Sequence, residues 1–486
     1  MTFQSWFDDR SLLFGPTPTA RHHWRRCLVP TSLIVVVLFA DTVWADDGQP
    51  ELTQLSLQQV LSHARNSDSA KRSLLNIDFA QAELDRLAGQ ESWSTAVTLS
   101  GSGSLVMPDQ PVELKGDVAL QKQLSTGGRV QLSALRSHTT ATMNTTPVED
   151  TTASMRVTQP LLRGAGWNGV AERRFAEFQL EERKSAKRNN LNNLLRDVVS
   201  AYWEVAFALE EFSLRRSSLI MTREQLRIVE TRHKAGRVSA LEVDAVKQDI
   251  AKQQAQLLQA RAQFTSRCAI LRQLAGMPSS TGRVEFRPST PLKVSDVPYN
   301  RESVAVTALR DNPQLALRQA ELDTASKRAE FAENDRRPRL DIEASASSRI
   351  SPNTENQMWG LQLVFEQELG GRRRRGLSKR AKTLRRIARI EMEITRQELL
   401  AAVARASASY NTGRQRVAAA QRAAERAQRV VNSERARFRA GRSTAFDVLL
   451  RIQSLRDAEL IRSRAVVDHL IASAELEALT GKLVER

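Results

Sequence analysis

The sequence predicts a mainly α-helical protein that also contains β-strands, built as two structural repeats. In each repeat, long antiparallel coiled-coil helices join strands of a transmembrane β-barrel that other copies of the chain must complete. Three observations predict this fold. A short glycine-containing segment occurs twice, 205 residues apart. A heptad pattern of apolar residues runs through long stretches without proline. Short stretches between the helices alternate apolar and polar residues.

Composition favours long helices over an all-β fold. The chain has 486 residues, of which 5% are aromatic, and Ala, Leu, Arg, Glu and Gln are plentiful. This length allows a large core or more than one domain. The formal net charge of +17 indicates either an anionic partner, such as nucleic acid or a lipid surface, or arginines spread over solvated helix faces.

A secretory signal is expected at the N-terminus, in residues 1–45. Arginines precede the apolar run 27–40, and Val43-Trp44-Ala45 follows as a cleavage site. The run is too short for a spanning helix. The mature chain is expected to begin near Asp46, without a lipid anchor. Export excludes nucleic acid as a partner.

Each half of the chain contains a very long helix, a glycine break and a second long helix. The first stretch, 168–235, would span roughly 100 Å as one helix, and its counterpart 377–440 is nearly as long. Apolar residues in the first stretch are spaced alternately by four and three, which is typical of a coiled coil. This seam comprises Leu191, Leu195, Val198, Tyr202, Val205, Leu209 and Phe212.

The doubled segment is predicted to be the tip of each helical hairpin. It reads Ala-Gly-Arg, a variable residue, a hydroxyl residue, Ala, an apolar residue, an acid and Val, around Gly236 and again around Gly441. Glycine at a helix end readily takes the left-handed conformation. Ser239 and Thr444 can cap the next helix, with an acid three residues later, much as in a capping box.

The repeats set the expected domain boundaries. The two return helices end on Gly276 and Gly481, which are again 205 residues apart. We therefore expect a first repeat over 46–276, which includes an extra strand hairpin, a linker over 277–310, and a second repeat over 311–486.

The alternating stretches are interpreted as barrel strands with one lipid-facing side. In the clearest one, 358–369, the apolar side comprises Trp359, Leu361, Leu363 and Phe365. Four to six strands per chain are too few to close a pore. Since lipid does not tolerate an open sheet edge, three copies would supply 12 or 18 strands. A soluble sandwich with one solvated face is the alternative.

Signals of an enzyme, a metal site or a cofactor site are not found. After the signal, four histidines remain without metal-ligand spacing: His63, His138, His233 and His469. There is no phosphate-binding loop and no nucleophile elbow. Cys268, the one cysteine after the signal, falls on the apolar side of a helix, which favours packing over reactivity. No enzyme activity is therefore expected.

The run of four arginines over 372–375 has two interpretations. It is either a solvated helix start or, because it follows a strand that returns from the membrane, a contact with anionic headgroups at the periplasmic rim.

Taken together, these motifs resemble the TolC-like outer-membrane efflux family over about residues 55–481. The resemblance rests on the two tips and on motifs at the element boundaries, namely Asn312-Pro313, 337–340, 158–164 and 368–371. It implies a homotrimer with a barrel in the outer-membrane lipid and a helical tunnel in the periplasm. It also implies passive export of substrates from an inner-membrane pump, of the RND or ABC type, through a periplasmic adaptor, in efflux or type I secretion.

The resemblance places the tunnel entrance and the adaptor contact at the tips. Its acidic positions fall on Glu242 and Asp447, and we expect Arg237 and Arg442 to pair with these acids between adjacent tips. Leu450 stands where the best-known members carry a further acid. The expected adaptor-contacting residues are Gly236, Ser239, Gly441, Ser443 and Thr444.

The rival interpretations are an exported periplasmic coiled-coil structural protein and a periplasmic adaptor. An adaptor would present one hairpin beside a small β-domain. It would not explain two equivalent hairpins with barrel strands between the helices.

Overall fold

The computed structural model describes residues 53–102, 112–140, 147–166, 170–277, 285–292, 294, 297–352 and 354–485. The predicted signal peptide lies outside these residues. The described residues belong to one compact unit, in which long helices adjoin a six-stranded antiparallel sheet. The internal repeat that the sequence predicts is visible in the order of its elements.

The first repeat contains helices and strands in alternating groups. They are β1 (Thr53–Leu55), α1 (Leu57–Arg65), α2 (Asp68–Gly89), β2 (Ser94–Ser102), β3 (Glu113–Gln123), β4 (Arg129–Thr139), β5 (Val148–Pro160), α3 (Ala171–Lys234) and α4 (Ala240–Leu274).

The elements after residue 277 follow the same order, with two fewer strands in the main sheet and an added final helix. They are β6 (Phe286–Pro288), α5 (Arg301–Asp311), α6 (Pro313–Asn334), β7 (Arg339–Ser351), β8 (Thr354–Glu366), α7 (Arg372–Arg439), α8 (Ala445–Leu479) and α9 (Lys482–Glu485).

The two longest helices confirm the predicted coiled-coil stretches. Helix α3 has 64 residues and α7 has 68, which correspond to about 96 and 102 Å. The predicted seam is the core of this region, and Leu195, Val198, Tyr202 and Val205 are fully or almost fully buried. None of the described helices is long and apolar enough to cross a membrane.

The return helices cover only part of each long helix. Helices α4 and α8 have 35 residues each, about 52 Å. They pack on the tip-side parts of α3 and α7, while α2 and α6, with 22 residues each, pack on the sheet-side parts. The sheet-side helices therefore lie in the order α2, α3, α6, α7.

Glycines fix where the return helices end. Gly276 and Gly481 have positive φ values of 65° and 73°. A Cβ on Gly481 would lie 2.5 Å from the carbonyl oxygen of Asp311, and one on Gly276 would lie 2.5 Å from the Cβ of Ser67. Both positions therefore need glycine for its conformation and for its lack of a side chain. The ends of α4 and α8 are held against the starts of α2 and α6.

The region 277–310, which we expected to be a linker, contains secondary structure. It contains β6, which pairs in parallel with β1, and most of α5. Helix α5 packs against α7 as α1 packs against α3, so it occupies the equivalent place in the second repeat. The boundary at residue 311 that we assigned from the sequence remains a proposal.

The main sheet has the strand order β2-β3-β4-β5-β7-β8. All neighbours are antiparallel, so the chain contributes six strands, the larger of the two predicted numbers. A turn at residues 125–128, Ser-Thr-Gly-Gly, joins β3 to β4, with Gly127 at a φ of 82°.

The strand register separates an apolar from a polar face. Val97 pairs with Val118, Val118 with Ala134, and Ala134 with Ala153. Because paired residues point to the same side of a sheet, most of the large apolar residues of the six strands share one face. That face includes Leu99, Leu120, Leu132, Met155, Val157, Leu340, Ile342, Trp359, Leu361, Leu363 and Phe365. The opposite face includes Thr98, Ser100, Gln121, Gln131, Ser133, Ser154, Thr158, Ser345, Ser347 and Gln362.

Replacing Gly481 by Ala is expected to destabilise the protein. The left-handed backbone alone costs an L-residue roughly 1–2 kcal/mol, and the added Cβ would meet the Asp311 carbonyl. The measurement is thermal unfolding of the detergent-solubilised protein, followed by helical circular dichroism. Gly376→Ala is the matched control, since Gly376 lies inside α7 with nothing within 4 Å of its Cβ position. This control should stabilise the helix by up to about 1 kcal/mol. Equal midpoints for the two variants would contradict the close contact at Gly481.

Candidate functional site: the paired hairpin tips

The first tip closes helix α3 through a left-handed glycine. Gly236 has a φ of 65°. The amide of Arg237 donates to the carbonyl of Arg232 at 2.9 Å, and the amide of Gly236 donates to that of His233, also at 2.9 Å. This is the usual hydrogen-bond pattern of a helix that ends on glycine.

The second tip repeats the first almost bond for bond. Gly441 has a φ of 74°, Arg442 donates to Arg437 at 2.9 Å, and Gly441 donates to Phe438 at 3.0 Å. A Cβ at either tip glycine would meet nothing within 4 Å. The tips therefore require glycine for its conformation alone.

The acids that we expect at the entrance are not equivalent. The Asp447 amide donates to Thr444 Oγ1 at 3.2 Å, and its carboxylate accepts from the Thr444 amide at 3.1 Å, which completes the capping box. The hydroxyls of Thr444 and Ser443 also donate to this carboxylate. Hydrogen bonds from Thr444, and more weakly from Ser443, hold the pKa of Asp447 below its usual value.

In the first tip the cap is simpler. Ser239 Oγ accepts from the Glu242 amide at 3.3 Å. The Glu242 carboxylate makes no hydrogen bond or ion pair with any residue that the structure describes, so it is free to meet a group outside the chain.

The two tip arginines are exposed. Neither Arg237 nor Arg442 forms an ion pair within the described part of the chain. Pairing with an acid of an adjacent copy, which the sequence suggests, stays a prediction.

A different arginine joins the two tips within the chain. Arg232, near the end of α3, donates from its guanidinium to the carbonyl of Arg439 at 2.9 Å. Its Cζ also lies 4.2 Å from the centroid of the Phe438 ring, a cation–π contact. Phe438 itself is buried. Sequence reasoning missed this contact, and the signal that could have indicated it is that Phe438 replaces His233 at the equivalent place in the repeat.

The tips share one apolar core. Residues from all four helices of the hairpins are buried together, among them Val229 of α3, Val246 of α4, Val431 of α7 and Val448 of α8. Above this core, a polar layer also joins the hairpins. Its bonds run from Gln253 Nε2 to Thr222 Oγ1 (2.9 Å), from Gln253 Nε2 to Asp249 Oδ2 (2.6 Å) and from Gln453 Nε2 to Asp249 Oδ1 (3.0 Å). The two tips therefore form a single unit.

The surface of this unit combines apolar and charged side chains. Leu241 is 78% exposed and Phe446 65% exposed, and they lie beside the acids and arginines described above. Two large exposed apolar side chains on joined tips, rimmed by charged residues, make this surface a candidate contact for another protein.

Among the described residues, no group of His, Cys, Asp and Glu could hold a metal ion. Cys268 is buried in the core, and burial raises the pKa of its thiol to about 11, so the prediction of a packing role is confirmed.

The proposed lipid-facing residues lie on one face of β8. Trp359, Leu361, Leu363 and Phe365 are all more than 60% exposed in the single chain. As the outermost strand of the sheet, β8 leaves both this apolar face and one backbone edge without a partner among the described residues.

Comparison with known proteins identifies a curated relative. The pyoverdine export outer membrane protein OpmQ of Pseudomonas aeruginosa is 29% identical over 296 residues, which cover 59% of this chain and 61% of OpmQ. The chain thus spans less than two thirds of the length of this relative.

Solved structures share the fold along most of the chain. The outer membrane protein VceC of Vibrio cholerae has a TM-score of 0.67 at 15% identity, covering 87% of this chain and 96% of VceC. The MtrE outer membrane channel of Neisseria gonorrhoeae, in its open state, has a TM-score of 0.65 at 16% identity, covering 87% and 88%. The sequence also matches the family described as outer membrane efflux protein over residues 119–277 and 304–482, which is more than half of its length. The chain therefore belongs to the outer membrane efflux protein family.

Proposed function

We propose that this protein is the outer-membrane duct of a tripartite efflux or type I secretion system. In this proposal, three copies form a continuous channel through which substrates pass without chemical change. A periplasmic adaptor and an inner-membrane pump, of the RND or ABC type, deliver those substrates. One observation carries the proposal. In the part of the chain that the structure describes, the sheet and the layer of helices both end in an unpaired element, and they do so on the same two sides of the chain.

The strand directions at the two edges allow one copy to pair with the next. Strand β2 and helix α2 form one edge, and strand β8 and helix α7 form the other. Strand β2 runs away from α2, whereas β8 runs back towards α7. If β8 of one copy lies beside β2 of the next, the two strands are therefore antiparallel, and the sheet continues without a change of pattern.

Apolar side chains on the edge helices support the same contact. Leu75 and Phe79 of α2 are 66% and 76% exposed. Ile387, Ile390 and Ile394 of α7 are also exposed, on the side opposite to its buried residues. Because the two patches differ, the contact between copies would be head-to-tail, the kind of contact that forms cyclic assemblies when the rotation between copies closes.

Three copies would give a barrel of 18 strands, since each chain contributes six. The even number suits an antiparallel barrel. The apolar face would meet lipid and the Ser-, Thr- and Gln-rich face would line a wet lumen. The family is one of outer membrane proteins, and the MtrE outer membrane channel shares the fold of this chain.

At the other end, the tips would form the periplasmic entrance. In a trimer, three copies of each tip surround one axis, with Glu242, Asp447, Arg237 and Arg442 near the opening. Exposed arginine–acid pairs contribute about 0–1 kcal/mol each. Several such pairs could hold the entrance closed and still be exchanged for contacts with an adaptor.

The first test concerns assembly. The protein should fractionate with outer membranes and migrate as a trimer before boiling. Ile387→Glu combined with Ile394→Glu should abolish the trimer band, because it places charge in an apolar contact. Ile220→Glu combined with Ile461→Glu is the control, as both residues are exposed but lie on helices inside the layer. A trimer that survives the first pair would argue against the α2–α7 contact.

The second test concerns the tip turns. Gly236→Pro or Gly441→Pro should abolish export while trimer and barrel persist, since proline excludes positive φ and removes an N–H that closes each turn. Gly236→Asn and Gly441→Asn are the controls, because asparagine tolerates the left-handed conformation. Export assays and adaptor cross-linking provide the readout. Normal export by both proline variants would mean that the tips are ordinary turns.

The third test concerns closure. Arg237→Ala combined with Arg442→Ala should raise single-channel conductance in planar bilayers, whereas Arg422→Ala combined with Arg429→Ala, on the shaft of α7, should not. High salt should open the unmodified protein beyond the gain expected from more ions, because it screens exposed pairs. If neither treatment opens the channel, apolar packing at Leu241 and Phe446 becomes the expected gate.

A further inference from the structure

Below the last strands of the sheet lies a basic cavity that the channel function does not use. It has a volume of about 310 Å³ and lies between the α6–β7 turn and the β8–α7 connection. Four arginines line it, Arg336, Arg337, Arg374 and Arg375, against a single glutamate, Glu368. The cavity therefore carries an excess of positive charge.

Part of this charge is held in place by the fold. Arg374 donates through Nε to Glu368 at 2.9 Å and through Nη1 to the carbonyl of Asp335 at 3.3 Å. Arg375 donates to the carbonyl of Gly370. These bonds fix two arginines as one wall of the cavity.

The opposite wall of the cavity is formed by Arg336 and Arg337, whose guanidinium groups still have N–H donors to offer. Arg336 pairs with Glu333 at 3.0 Å through one guanidinium nitrogen, and Arg337 has no acidic partner among the described residues. A guanidinium offers five N–H donors in a planar fork that fits phosphate oxygens. The two walls together suit one or two phosphate groups.

The position of the cavity relative to the apolar face of the sheet indicates which phosphate-containing molecule it can bind. Leu340 pairs with Phe365 in the register, and these are the lowest residues of the apolar face on β7 and β8. Arg337 is three residues before Leu340, at most about 10 Å away along extended chain. The headgroup layer of a bilayer extends roughly 5–8 Å beyond the hydrocarbon on each side. The cavity therefore lies close to the headgroups of the periplasmic leaflet.

An apolar residue beside the cavity favours a lipid over a free anion. Leu369, in the same β8–α7 connection, is 95% exposed, and Phe365 above it is also exposed. A phosphate ion would leave both unused, whereas a phospholipid would place its phosphate among the arginines and its acyl chains against these side chains.

We propose that this cavity binds the headgroup of an anionic glycerophospholipid of the periplasmic leaflet. The inference rests on the membrane placement of the sheet in the proposed function. It assigns a role to the arginine run 372–375 that distinguishes it from a solvated helix start. The bound lipid would hold the base of the barrel at a fixed depth, at the junction where the chain turns from sheet to helix.

The test measures lipid preference of the purified full-length protein in detergent. Dioleoylphosphatidylglycerol, dioleoylphosphatidylcholine and inorganic phosphate are added separately, and binding is followed by native mass spectrometry and by the thermal midpoint. We expect the phosphatidylglycerol to bind about tenfold or more tightly than the phosphatidylcholine. Equal binding of the two lipids, or equal protection by phosphate alone, would overturn the proposal.

Variants locate the site. Arg336→Gln combined with Arg337→Gln should lower phosphatidylglycerol binding about tenfold, whereas Arg386→Gln combined with Arg389→Gln, which removes the same charge farther along α7, should not. If the first pair disturbs assembly, Arg337→Gln alone should lower binding about threefold. An equal loss in the control would mean that general charge, not the cavity, attracts the lipid. Conductance in planar bilayers is measured in parallel, so that failure of the channel and failure of the lipid site are separate outcomes.

Discussion

The geometry of this protein depends on where four glycines reverse the chain. Gly236 and Gly441 end the long helices, and Gly276 and Gly481 end the return helices, all with left-handed backbone. Because Gly276 follows Gly236 by the same interval as Gly481 follows Gly441, the two hairpins have return helices of 35 residues each. Equal hairpins bring their tips to the same level, which allows Arg232 to reach Arg439 and lets four helices share one tip core.

A second constraint acts at the opposite end of the long helices. A sheet with one apolar and one polar face requires two different environments. Within the part of the chain that the structure describes, neither face packs against the helices, which lie beyond the strand ends. Lipid on one side and water on the other satisfy both faces, provided that the edge strands are paired. The same closure covers the exposed apolar residues of α2 and α7, so the two halves of the molecule favour the same assembly.

The sequence allows the helices to be predicted more completely than the sheet or the site. The heptad seam and the doubled glycine segments report on local geometry, and both were confirmed by buried Val198 and Tyr202 and by the positive φ of Gly236 and Gly441. The number of strands was harder to predict, because charged residues such as Lys122 and Arg136 interrupt the apolar face on β3 and β4. The Arg232–Phe438 contact joins residues about 200 positions apart, and its sequence signal is only the change from His233 to Phe438 between the repeats. The equivalence of Glu242 and Asp447 in the repeat likewise hides a difference in hydrogen bonding that only the side-chain geometry reveals.

The glycines also differ in a way that bears on movement. At the base, Gly276 and Gly481 lie against neighbouring backbone or Cβ atoms so closely that a methyl group would not fit, whereas the space around Gly236 and Gly441 is open. The hairpins are thus anchored by close packing where they meet the body of the protein. At the tips they are held by a small core, a polar layer and exposed charges. Contacts of the latter kind cost less to exchange than a packed interior. An opening motion would therefore begin at the tips. It would leave Gly276, Gly481, the arginines of the basic cavity and the sheet in place.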